Sequence, residues 1–441
     1  MRGNLRLLPD SGKRSAGSGA PVLFVFVVLL VLLPAALSSV PVAFICVSAL
    51  VVATMALIVG FGRTGSGSLI LSFGTAPLND VRPIEALSFL ELSDAFLVTG
   101  FLLLIPRLAG TTLRLPSAFL AGGVGLLTVG TLSALASDQP GRNLGYLINV
   151  AGGVVLLTVL LVWWQPGRRT TVAASAAFMI GNAVNVVASL FQDPFVEERY
   201  SGLTTHPNVM GLCQVLSLAL APFLLEALPR RYHWIVGVGA LVSMYGIWIS
   251  GSRAALLCAV ALTLLYPLFK RSVPVALAVA ALCLPAIVVF DRVSQNPDPS
   301  NTLGRLLGAG SVSYSNEYRV AGARAGIDQF LSHPLLGDGW VGIWSTHNGY
   351  LQVAAAIGVL GLGCYLMLLV PILRPLIAVP PPYGLLAAPG LAAAMISVVD
   401  PALGTRYTWC VLALALSADR LSALAEKPSD QVNNSAEQPR P

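Results

Sequence analysis

Runs of apolar residues recur along nearly the whole chain, separated by short polar breaks. About 20 apolar residues are needed to cross about 30 Å of hydrocarbon, and the backbone there must be helical because lipid offers it no partners. On that criterion the sequence predicts thirteen spans: Pro21–Leu37, Val42–Gly60, Leu87–Ile105, Ser117–Ala136, Leu144–Trp164, Val172–Phe191, Pro207–Ala227, Trp234–Ile249, Ala254–Phe269, Val273–Phe290, Asn348–Leu373, Leu385–Val399 and Leu403–Ala418. Pro34 and Pro41 flank the junction of the first two, which suits a broken or re-entrant hairpin.

The polar remainder divides the chain further. Residues 1–20, with Arg2, Arg6, Lys13 and Arg14 against Asp10, form a basic cytoplasmic or disordered tail. Transmembrane helices fill 21–290 and 347–420, an outer loop covers 291–346, and 421–441 are expected as a disordered cytoplasmic tail. The loop opens on the turn-rich Ser294-Gln-Asn-Pro-Asp-Pro-Ser-Asn301. From Asn316 to Leu331 it sets Tyr318, Ala321, Ala325 and Ile327 against Glu317, Arg319, Arg324 and Asp328, which predicts an amphipathic helix at the membrane surface. His333-Pro334 ends it, since the residue before proline avoids helical angles.

Composition agrees. The chain has 441 residues, 56% hydrophobic and 10% charged, where a soluble domain has about 25% charged. The fold class expected is an all-α integral membrane protein of about 12–13 transmembrane helices with one long outer loop containing an amphipathic helix. Six cysteines all lie inside apolar runs and describe neither a disulfide framework nor a metal site.

The net charge of +6 does not indicate nucleic acid; its distribution sets orientation. Arg107 and Arg114, Arg168 and Arg169, Arg230 and Arg231, Lys270 and Arg271, then Arg374 recur in every second loop, which assigns those loops to the cytoplasm. Residues 138–143, 192–206, 251–253, 291–346 and 400–407 then face outward. Thirteen spans with an inner C-terminus would leave the basic N-terminus outside, so one of the first two runs is expected to be interfacial or half-inserted.

This frame puts Arg199, Arg253 and His347 at the same outer face, with Arg319 in the loop that folds over it. Such a set suits transfer from a diphosphate-linked lipid. The leaving diphosphate gains negative charge, which guanidinium groups meet with paired, directional hydrogen bonds. The attacking hydroxyl loses a proton, and imidazole has the pKa nearest operating pH. Taken singly, Arg199 and Arg253 also read as interfacial anchors, Arg319 as a lipid-phosphate contact and His347 as a cap. His206 and His333, each before proline, read as structural, and His233 as a cytoplasmic interface residue. No Asp-x-Asp pair occurs in the outer loops, which favours chemistry without a metal.

Four motifs in order resemble the O-antigen ligase and O-antigen polymerase superfamily of envelope glycosyltransferases. They are Arg199 with Gly202 and His206-Pro-Asn208, and Arg253 with Leu257 inside Gly-Ser-Arg-Ala-Ala-Leu. Arg319 follows, with Phe330 and His333-Pro-Leu-Leu-Gly337, and then His347-Asn348 ahead of Gly358-Val-Leu-Gly361. Ala254 stands where the family often has glycine. The resemblance implies about twelve spans, a polyprenyl-diphosphate-linked glycan donor, a glycan or glycolipid acceptor, transfer at the outer side of the cytoplasmic membrane, and no metal or cofactor. It implies that Arg199 and Arg253 engage the diphosphate with Arg319 beside them, that His347 assists the acceptor, and that Asn348, Asn208 and Ser252 support them.

Three alternatives stay open. One is a polymerase joining lipid-linked repeat units. Another is a transferase fed by a monophosphate lipid sugar, with a base among Asp80, Glu85, Glu91 and Asp94. The third is a polysaccharide transporter or flippase without chemistry, for which Asn182, Asn185 and Gln214 are the mid-membrane polar candidates.

Overall fold

The computed structural model of the chain describes residues 40–82, 91–195, 198–270, 272–310, 312–341, 346–400 and 405–426. The expected run Pro21–Leu37, both terminal tails outside 40–426, Glu85 and Arg271 lie outside the described residues. Described elements are helical: α1 Val40–Val59, α2 Phe61–Thr75, α3 Leu92–Leu108, α4 Ser117–Ala136 and α5 Pro140–Trp164. Next come α6 Arg168–Ser189, α7 Pro207–Ala227, α8 His233–Ser250, α9 Arg253–Lys270 and α10 Val273–Gln295. The series closes with α11 Thr302–Leu306, α12 Val312–Ser332, α13 Gly349–Leu373, α14 Tyr383–Ile396 and α15 Arg406–Glu426. The chain packs as two units, 1–65 and 66–441. The first is described as α1 and the start of α2; everything below concerns the second.

Nine helices among the described residues are long and apolar enough to cross a membrane: α4 to α10, α13 and α15. The expected count of 12–13 included two segments that are apolar but shorter, Leu50–Val59 and Tyr383–Ile396. Several boundaries also differ from expectation. Helix α10 continues past Asp291 to Gln295, because Ser294 donates to the Asp291 carbonyl at 2.7 Å and Gln295 to its carboxylate at 3.2 Å. At the other end of the chain, 421–426 are helical instead of disordered. Arg420 donates to the Pro166 carbonyl at 2.6 Å and Arg374 pairs with Asp419 at 2.8 Å, which holds the last turns of α15 in place.

Helix α7 is the centre of the unit: most of its length is buried, including Met210, Leu216, Leu220 and Phe223. Apolar surface gains little by leaving lipid for protein, so close approach decides which helices associate. Helix α4 meets α13 at Gly122, where a Cβ would lie 2.7 Å from the Cys364 carbonyl oxygen and 2.9 Å from the Leu368 nitrogen. Helix α10, by contrast, buries none of its residues.

Helix α13 is broken inside the stretch that the sequence predicts as one continuous span, Asn348–Leu373. Ile357 leaves helical angles and Gly358 takes φ 68°, a left-handed value that glycine adopts without steric cost. The Ala355 and Ala356 carbonyls, released from the helix, accept the N–H groups of Asp338 at 3.1 Å and Gly339 at 2.9 Å, and Val359 donates to the Pro334 carbonyl at 2.8 Å. Non-helical backbone is tolerated at such depth only where protein satisfies it, and here the 334–339 segment does so. The same segment continues onto Asn143 of α5, whose side-chain oxygen accepts from Trp340 and Val341 at 2.5 and 2.9 Å.

The two ends of the helices carry different polar groups. Lys270 pairs with Glu226, Arg168 donates to the Ala227 carbonyl at 3.1 Å, and Arg374 meets Asp419 at that same end. The opposite ends of α7 and α9 carry Asn208 and Arg253.

Candidate functional site

Three helices begin together at this second end, and a polar side chain caps each. His206 precedes α7, and its Nδ1 accepts the Asn208 N–H at 3.1 Å, the structural reading expected of it. Ser252 precedes α9, its hydroxyl 3.4 Å from the Ala255 N–H. Asn348 precedes α13 and accepts from the Leu351 N–H at 2.9 Å. Helix N-termini gathered in this way present positive dipole ends to a shared space, a favourable setting for an anion.

Arg199 crosses beneath them. Its Nε donates to the Ser250 carbonyl at 2.9 Å and its terminal nitrogen to the Asn208 side-chain oxygen at 2.7 Å, so it ties the α8–α9 corner to the first turn of α7. That corner turns at Gly251, φ 63°, where a Cβ would sit 2.8 Å from Arg199 Nε and 3.0 Å from Arg305 Cδ. Arg305 is only 4% exposed. Its helix, α11, is pinned to the end of α8 by Thr302, whose hydroxyl donates to the Ile247 carbonyl at 2.6 Å.

Arg253 reaches the other way, donating to the Asn316 side chain of α12 at 2.8 Å. Helix α12 starts four residues earlier than expected and lies against the start of α13, with Gly326 against Thr346 and Leu351. One turn carries Asn316, Tyr318 and Arg319. Tyr318 makes an edge contact with the His347 ring, centroids 5.6 Å apart. The structure thus brings together Arg253, Arg319 and His347 and sets Arg199 behind them, against the α8–α9 corner.

Electrostatics follow from this crowding. Burial lowers the pKa of His347 below the ordinary imidazole value and the Arg319 charge lowers it further, so both favour the neutral ring. Burial does more to His206, pushing it down to about 4, helped by Arg199, His347 and Arg319. Two members of the cluster were not singled out in the sequence. Arg305 lay in a loop of mixed composition with no motif around it. Asp400, just beyond α14, is pushed up to about 6 by burial while Arg319 draws it back. Its segment joins the start of α13, since the Gly349 N–H donates to the Ser397 carbonyl at 2.7 Å.

A cavity of about 510 Å³ opens from the arginines. Arg253, Arg319 and Asn316 form its polar end, and Leu257, Ala261, Met395 and Val399 form an apolar wall. Leu257 and Val398 are 54% and 53% exposed, so the wall runs out to the lateral surface that would face lipid. A ligand with an anionic head and a long apolar chain matches both parts.

The carboxylates of the alternative base lie elsewhere. Asp94 pairs with Arg406, Glu91 sits 3.9 Å from Arg82, and Asp80 is exposed. The transporter candidates Asn182, Asn185 and Gln214 are wholly buried in the packing of α6 and α7, Gln214 donating to the Asn182 carbonyl at 3.1 Å. Among the described residues no group of three or more His, Cys, Asp or Glu is placed to hold a metal ion. No model of a known protein family matches the chain, and no curated protein matches it.

Proposed function

We propose that the protein is a membrane glycosyltransferase of cell-envelope polysaccharide assembly. It transfers a glycan from a polyprenyl diphosphate carrier to an acceptor hydroxyl at the outer face of the cytoplasmic membrane, in the manner of an O-antigen ligase. The observation that carries this reading is the cavity whose polar end holds Arg253 and Arg319 and whose apolar wall opens sideways, with His347 beside Arg319. The basic residues gathered at the opposite helix ends support the outer placement of the site.

In this reading the prenyl chain lies along Leu257, Ala261 and Val399, and the diphosphate meets Arg253 and Arg319 near the N-terminus of α9. The neutral ring of His347 takes the proton of the acceptor hydroxyl while that oxygen forms a bond to the anomeric carbon. The bond from this carbon to the phosphate oxygen breaks, and the diphosphate leaves with the electron pair, its charge held by the guanidinium groups. Arg199 and Arg305 act from behind, by fixing the corner that carries Arg253.

Lipid extracts of a deletion strain test the reaction class. Long glycan on a diphospholipid carrier should accumulate, and complementation with His347→Ala should leave it accumulating while the protein inserts normally. Accumulation of single repeat units would turn the reading to a polymerase, and an unchanged lipid profile would end it.

A further inference from the structure

Away from Arg253 and Arg319, a second cavity of about 190 Å³ lies between α3, α5 and α15. Its polar end is formed by Asp94, Arg406 and Ser93, and its walls by Leu97, Leu156 and Leu160. Like the first it opens laterally, since Ile148 and Leu156 on its rim are 69% and 57% exposed.

Three observations set it apart from an ordinary packing gap. The wall contributed by α5 is a π-helical turn, Ala151–Leu156, in which the Leu157 N–H bonds to the Gly152 carbonyl. Such turns cost helix regularity and recur at binding sites. Gly152 faces open space, for a Cβ there would meet nothing within 4 Å. Asn149 lines the cavity and is exposed, about 14 Å along the helix from Pro140, and no hydrogen bond among the described residues engages its amide. An amide in that position on a membrane-spanning helix is costly unless a ligand meets it, since a polar group in an apolar medium needs a hydrogen-bond partner.

Charge decides the kind of ligand. Asp94 accepts from Arg406 and from the Glu91 N–H at 3.0 Å, so the two charges of this cavity neutralise each other within the protein. The cavity of Arg253 and Arg319 has two guanidinium groups at its polar end and calls for an anion; this one does not. We infer that the cleft at the π-turn of α5 binds an uncharged, hydroxyl-bearing membrane lipid, its hydroxyls on Asn149 and its chain along Leu156 and Leu160. The inference is independent of the transfer reaction.

The test uses the full chain in nanodiscs with two photoactivatable lipids of the same acyl chains, a diacylglycerol and a phosphatidic acid. Crosslinked peptides are located by mass spectrometry, and thermal unfolding is followed in parallel. Diacylglycerol should label residues 148–160 at least fivefold more than phosphatidic acid does. Gly152→Leu, which fills open space, and Asn149→Leu should each reduce that labelling at least fivefold without lowering the unfolding temperature. Equal labelling by both lipids, labelling unaffected by either substitution, or no labelling of 148–160 overturns the inference.

Discussion

His347 has a backbone φ of 50°, a left-handed value that histidine adopts more readily than most residues, and it sits immediately before the cap of α13. Its lowered pKa has a direct consequence for pH dependence. A base is active when deprotonated, so activity falls on acidification only as pH passes through the folded-state value, below 6.5. The acid limb of kcat/KM is therefore expected below 6.5, and Arg319→Gln should move it upward by removing a charge that opposes protonation. An unmoved limb in that variant would separate Arg319 from the base. Arg253→Lys keeps a charge but loses the fork that holds Asn316 and that, in the proposed reaction, would also meet the diphosphate. One charged hydrogen bond is worth about 1.5–3 kcal/mol, so a loss of roughly 10–100-fold in transfer is expected, measured with purified enzyme in liposomes. At this scale the sequence named Arg199, Arg253 and His347, because polar groups at the ends of apolar runs are visible in a string, and Arg319, because it sits on an amphipathic stretch of the loop between two such runs. It missed Arg305 and Asp400, which matter only through what folds over them.

Elements were legible wherever apolar length alone defines them: α4, α7 and α13 begin and end within a residue or so of expectation. Breaks inside elements were not. The sequence Ile357-Gly358 in an apolar run reads as helix, and the break appears only when the Ala355 and Ala356 carbonyls are taken up by Asp338 and Gly339, each 17 residues earlier in the chain. Gly358→Ala tests this break. The new Cβ would sit 2.1 Å from the Leu335 carbonyl oxygen at a backbone angle unfavourable for alanine. A destabilisation of about 2 kcal/mol or more is expected, read as a lower apparent melting temperature in detergent. Unchanged melting would mean that the 334–339 segment is not held to α13 in this way.

For the whole molecule, the sequence reading assigns both faces of the membrane, and cysteines introduced one at a time into a variant lacking the six native ones can check it. A cysteine at Ser294, beyond the apolar part of α10, should react in intact cells with a thiol reagent that cannot cross the membrane; one at Arg169 should react only after lysis. The reverse pattern would place the arginine cavity on the cytoplasmic side and exclude transfer at the outer face.

By itself the sequence determined the environment, the helical class, the order of the spans and the ends that carry positive charge. Each of these follows from hydropathy and loop charge, quantities summed over neighbours in the chain. The tertiary structure decided which helix starts converge, that Arg199 fixes a corner while Arg253 and Arg319 head a cavity, and that two lateral cavities differ in charge. Those properties depend on groups far apart in sequence, Arg253 with Asn316 and Asp94 with Arg406, whose pairing no local pattern encodes.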